Sequence, residues 1–89
     1  MKIVLTLHAK EKLQTQEARL LGITLRKITN VINKPLVINK NLNPHQSIGE
    51  LTENLSLAVI WKTEGDIIKV ITFYPAEKGR YESKVLRRR

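Results

Sequence analysis

The sequence predicts an α+β fold: a small antiparallel sheet with two N-terminal helices packed on one face. Three observations predict it. A short strand-like start is followed by apolar residues at helical spacing up to Pro35. Two runs rich in Ile, Val, Trp, Phe and Tyr, residues 55–63 and 66–74, flank Glu64-Gly65. At 89 residues and 42% hydrophobic, the chain holds one core, so it reads as a single domain over 1–89 with a basic tail from about 78.

The elements follow in order. Residues 2–6 form a short strand, and Thr6 is the N-cap of a helix beginning near Leu7 or His8. Ala9, Leu13, Gln16 or Glu17, and Leu20 keep helical spacing, which leaves Lys10, Glu11, Gln14, Thr15 and Arg19 on the wet side. Gly22 stops this helix, because glycine accepts the left-handed conformation past a C-cap. Thr24 caps a second helix whose stripe is Leu25, Ile28, Val31 and Ile32, and Pro35 ends it. Leu36-Val37-Ile38 fits a strand. Residues 39–46 read as a loop, residues 47–51 as a return strand, and Thr52-Glu53-Asn54 as a turn.

A two-residue loop at Glu64-Gly65 sets a hairpin register. Thr63 then opposes Asp66, Trp61 opposes Ile68, Val59 opposes Val70 and Leu57 opposes Thr72. One face carries Leu55, Leu57, Val59, Trp61, Ile68, Val70, Thr72 and Tyr74, and this more apolar face goes to the helices. The other carries Ser56, Ala58, Ile60, Lys62, Ile67, Lys69, Ile71 and Phe73. A bulge would swap the later residues between faces.

Composition narrows the chemistry. There is no Cys, so disulfides, thiol nucleophiles and thiolate metal sites are excluded; a cytoplasmic location fits. No apolar run approaches the ~18 residues of a membrane span, and the N-terminal apolar stretch is short for a signal peptide. The net charge is +8, with sixteen basic and eight acidic residues. Residues 78–89 hold six of the basic residues against one acid; ten face seven over 1–77. Such a balance favours polyanions through long-range attraction and counterion release.

Asp66 is the only Asp, and His8 and His45 are the only histidines. No metal-ligand spacing, glycine loop or Ser-His-Asp set stands out, so neither metal nor cofactor is expected. What remains is basic and aromatic: His8, Lys10, Lys12, Arg19, Lys62, Lys69, Tyr74, Arg80 and Tyr81. These residues suit metal-free RNA cleavage. There the substrate's 2′-hydroxyl is the nucleophile, fixed cations hold charge on the phosphoryl oxygens, and side chains move the protons. As plain structure, His8 is a surface or capping residue, Lys62 and Lys69 discourage edge pairing, and Arg87-Arg88-Arg89 is a frayed tail.

Two motif groups resemble a known family. One is His8-Ala9-x-x-Lys12, then Arg19-x-x-Gly22-Ile23-Thr24 ahead of a helix. The other is Leu57-Ala58-Val59-Ile60-Trp61-Lys62, Gly65-Asp66, and the strand from Ile67 to Pro75. Together they resemble a group of small bacterial and archaeal proteins, a domain of unknown function similar to the BrnT and RelE toxins. The resemblance spans roughly His8 to Tyr81. It implies a RelE-like fold whose open sheet face takes RNA, and an endoribonuclease toxin of the mRNA interferase type. The implied partners are RNA, ribosome-bound mRNA included, and an acidic antitoxin. His8 matches the family's first-helix histidine, and Lys12 stands where the family has a basic residue. Of the family's arginine-rich helix only Arg19 remains.

The site expected on these grounds has His8, Lys62 and Arg80 as catalytic residues. His8 moves protons, and the two cations hold transition-state charge. Lys12, Arg19, Lys69 and Tyr81 bind RNA. The alternative is a non-catalytic nucleic-acid-binding or protein-interaction module of the same fold.

Overall fold

In the computed structural model, which describes residues 2–41 and 43–77, Thr6 joins the first strand to the first helix with one hydroxyl. Strand β1 (Lys2–Leu5) precedes it and helix α1 (Leu7–Leu13) follows. Thr6 Oγ1 accepts from the Ala9 amide at 3.2 Å and donates to the Ile71 carbonyl at 3.0 Å. The helix start is thereby capped and tied to the last strand at once.

The expected first helix is two helices, a correction with a local cause. Helix α2 (Gln16–Leu20) begins at a new N-cap, Thr15. Its hydroxyl accepts from the Ala18 amide at 3.2 Å and donates to the Lys12 carbonyl at 2.7 Å. A threonine satisfying backbone groups in this way competes with helix continuation. Gly22, at φ 71°, then closes α2. The Ile23 amide reaches the Ala18 carbonyl at 2.9 Å and the Gly22 amide the Arg19 carbonyl at 3.2 Å, which is a Schellman motif. Helix α3 (Leu25–Asn33) is capped by Thr24, as its sequence predicts.

The remaining elements are β2 (Val37–Asn39), β3 (His45–Glu50), β4 (Leu55–Glu64) and β5 (Ile67–Glu77). β3 starts two residues before the expected return strand. The sheet order is β1-β5-β4-β3-β2. Strands β2 to β5 are antiparallel neighbours, but β1 runs parallel to β5, so the sheet is mixed rather than antiparallel. The α+β class and the N-terminal position of the helices are as expected. No helix among the described residues is long and apolar enough to cross a membrane.

The β4–β5 register differs from the expected one. The loop is Gly65-Asp66, with Glu64 opposite Ile67. Gly65 at φ 58° occupies the first loop position, where a type II′ turn favours glycine. Trp61 therefore opposes Val70. One residue later the partner of Ile60 is Thr72, so Ile71 is the extra residue of a bulge. Val59 then opposes Phe73 and Leu57 opposes Pro75. Phe73 belongs to the helix-covered face, fully buried, while Thr72 and Tyr74 leave it.

The core lies between the helices and this face. Ala9, Ile28 and Val31 pack from the helices against Leu57, Val59, Trp61, Val70 and Phe73. α3 approaches β3 closely: a Cβ on Gly49 would stand 2.8 Å from Val31 Cγ2. The Trp61 indole N–H donates to Ser47 Oγ at 2.8 Å within the core. On the opposite face the Gln46 amide donates to the Tyr74 hydroxyl at 2.9 Å. These two residues flank β4 on neighbouring strands, so their side chains lean across it beside the fully buried Ala58.

Candidate functional site

β1 ends at Leu5, opposite Val70, and α1 takes over along the edge of β5. This places α1 beside residues 71–73. Lys12, on the last turn of α1, donates from Nζ to Thr72 Oγ1 at 3.3 Å. The same ammonium stands 5.4 Å from the Phe73 ring centroid, over its face. Strand alternation turns Thr72 and Phe73 to opposite faces, and the bulge at Ile71 sets Phe73 rather than Thr72 on the helix-covered one, so Lys12 meets the hydroxyl of one and the ring of the other.

His8, Glu11 and Lys12 occupy positions i, i+3 and i+4 of α1, so they share a helix face. With Thr15 they line a shallow cleft of about 280 Å³. His8 and Glu11 are exposed and Lys12 is half-buried. Among the described residues nothing engages the His8 ring or the Glu11 carboxylate through its side chain. The cleft thus offers an imidazole, a carboxylate and an anchored ammonium. Such a set can take one proton, give another and hold negative charge between them.

Lys62 and Lys69 meet elsewhere, at the hairpin end of the sheet face away from the helices. They are direct cross-strand partners. Glu64 bridges them, 3.3 Å from Lys62 Nζ and 3.1 Å from Lys69 Nζ. Those contacts, with Lys69 first and Lys62 second, hold the Glu64 carboxyl below its ordinary range. Lys2 opposes Ile67 in register and shares this face and end of the sheet. Arg19 lies apart, its guanidinium on Gln14 Oε1 at 3.3 Å. Arg80 and Tyr81 lie outside the described residues.

The expected site residues therefore fall into two groups, His8 with Lys12 and Lys62 with Lys69. Among the described residues no hydrogen bond or ion pair joins these groups. Sequence reasoning missed Glu11, Thr72, Glu64 and Lys2. Glu11 was legible in principle: its spacing of three from His8 and one from Lys12 sets it on their face. Thr72 was not, because its position depends on the bulge. Among the described residues no group of three His, Asp or Glu side chains is placed to hold a metal ion. Compared with protein-family models, curated proteins and solved structures, the chain matches none.

Proposed function

We propose that this protein is an endoribonuclease that cleaves RNA by transesterification without a metal, at the α1 cleft. The observation that carries the reading is the joint placement of His8, Glu11 and Lys12 on one face, with the Lys12 ammonium held on Thr72 Oγ1. The Glu11 carboxylate takes the proton of the substrate's 2′-hydroxyl. The 2′ oxygen attacks phosphorus, the bond from phosphorus to the 5′ oxygen breaks, and protonated His8 gives its proton to that oxygen. The products are a 2′,3′-cyclic phosphate and a 5′-hydroxyl. Lys12 stabilises the charge that grows on the non-bridging oxygens. Its side chain is already fixed by Thr72 and Phe73, so little freedom is lost on binding.

The RelE- and BrnT-like motifs extend the proposal to a toxin acting in the cytoplasm, on free or ribosome-bound mRNA, and held inactive by an acidic antitoxin. Lys62, Lys69 and Lys2 guide the RNA backbone in this account, with Arg19, Arg80 and Tyr81 as further contacts. A second reading is RNA binding without cleavage, and the free His8 ring favours it, since no side chain orients the imidazole.

Cleavage of an RNA oligonucleotide by the full chain in EDTA separates the two. His8→Ala, Glu11→Gln and Lys12→Ala each lose about 10²-fold or more in rate, the scale of one acid–base group, and keep the fold. Salt-dependent binding with no cleavage by the unmodified chain supports the second reading instead.

A further inference from the structure

We infer that a guanine base is read by Glu17 in a pocket beside the α1 cleft; the inference rests on the RNA reading above and adds a specificity site to it. The pocket has a volume of about 120 Å³ and lies between α2 and β5. Lys12 and Thr15 line both it and the His8 cleft, so the two are neighbours across one shared wall. Half-buried Pro75 supplies accessible apolar surface over the buried Ile23 and Phe73, and Glu17 supplies a carboxylate.

Three features point to a base. Sites for drug-sized ligands run to about 300–1,000 Å³, so this pocket, at about 120 Å³, is on the scale of one planar base and leaves a phosphate outside, toward Lys12. Its apolar wall suits the face of an unstacked base, the form in which single-stranded RNA is read. Glu17 is exposed and makes no ion pair among the described residues, although Lys12 lines the same pocket. A carboxylate there opposes phosphate binding and only accepts hydrogen bonds. It fits a ligand edge that presents N–H groups. Of the four RNA bases only guanine presents two adjacent donors, N1–H and the 2-amino group, on its Watson–Crick edge. Uracil presents two carbonyl oxygens around one N–H and is repelled.

The test is an NMR titration of the full chain with guanosine and uridine monophosphates, each as the 3′ and the 5′ isomer, in wild type and Glu17→Gln. Guanosine monophosphate is expected to move the amides of Ala18, Ile23 and Phe73. It binds roughly tenfold more tightly than uridine monophosphate, within the range of one good bidentate contact. Glu17→Gln reduces that preference to within about twofold, and its thermal midpoint stays at the wild-type value. Equal affinity of the wild type for both nucleotides, no binding, shifts confined to other residues, or a preference that survives Glu17→Gln overturns the inference. The two proposals fail separately. Cleavage that depends on His8 without a guanine preference removes only the pocket assignment, and guanine binding without cleavage removes only the ribonuclease reading.

Discussion

Lys62 and Lys69 face each other directly across β4 and β5, and the Glu64 carboxylate holds both ammonium groups, at 3.3 and 3.1 Å. Like charges opposite one another destabilise a strand pair. Glu64 relieves that repulsion, and it does so only while ionised.

The first prediction is a pH effect on stability. The folded Glu64 carboxyl ionises below its ordinary value of 4.5, drawn down first by Lys69 and then by Lys62. A depressed carboxyl contributes stability that is complete above the unfolded value and is lost as pH falls through the folded one. The difference in thermal midpoint between wild type and Glu64→Gln should be constant from pH 7 to 5 and shrink below 4.5. It should also be small, because the pair is solvent-exposed and screened. A difference that grows on acidification contradicts the bridge.

The same bridge predicts an effect on RNA. Removing the carboxylate in Glu64→Ala frees two ammonium groups on one face. RNA affinity should rise, and the dependence of affinity on salt should steepen by about one further counterion per added phosphate contact. Filter binding over a salt series measures both. Unchanged affinity would take Lys62 and Lys69 off the RNA path.

The core makes a third prediction at Trp61 and Ser47. The indole N–H donates to Ser47 Oγ at 2.8 Å, and Ser47 is fully buried. Ser47→Ala leaves that donor without an acceptor, which should cost about 1–3 kcal/mol in chemical denaturation. The His45 ring, 4.7 Å from Trp61 between centroids, holds the indole in place, so the loss is not recovered by rotation.

Gly49 gives the fourth. Its backbone needs no left-handed angle; what it provides is space for Val31 of α3, whose Cγ2 would lie 2.8 Å from an added Cβ. Gly49→Ala should therefore destabilise by about 1–3 kcal/mol through overpacking. In a double-mutant cycle Gly49→Ala should cost less in a Val31→Ala background than in the wild type, since the clash is with that one side chain.

Local signals were legible where one residue's chemistry decides the outcome. Thr6 and Thr24 cap helices, Gly22 ends one, and the Trp- and Ile-rich runs pair as a hairpin, all as their residues predict. The break at Thr15 was not, because a helix-spaced apolar stripe continues through it and only the hydroxyl's two bonds interrupt the chain. The parallel pairing of β1 was not either: β1 and β5 are far apart in sequence, and no turn fixes their direction. The bulge at Ile71 had the widest effect. It exchanged Phe73 for Thr72 and Tyr74 on the helix-covered face, and so decided what Lys12 touches. At the candidate site, His8 and Lys12 were legible by type and spacing. Glu11 reads from sequence as a solvated residue, because it interrupts the basic pattern of Lys10 and Lys12.

The most direct measurement is the chemistry of the RNA ends. A defined oligonucleotide is incubated with the full chain in EDTA, and the products are weighed by mass spectrometry, alongside the same oligonucleotide with a 2′-deoxy sugar at the cut position. Transesterification at the α1 cleft yields a 2′,3′-cyclic phosphate and a 5′-hydroxyl from the RNA, no cut at the deoxy position, and loss of both products in His8→Ala. Intact RNA, a cut that survives the 2′-deoxy sugar, or cleavage unchanged in His8→Ala contradicts it.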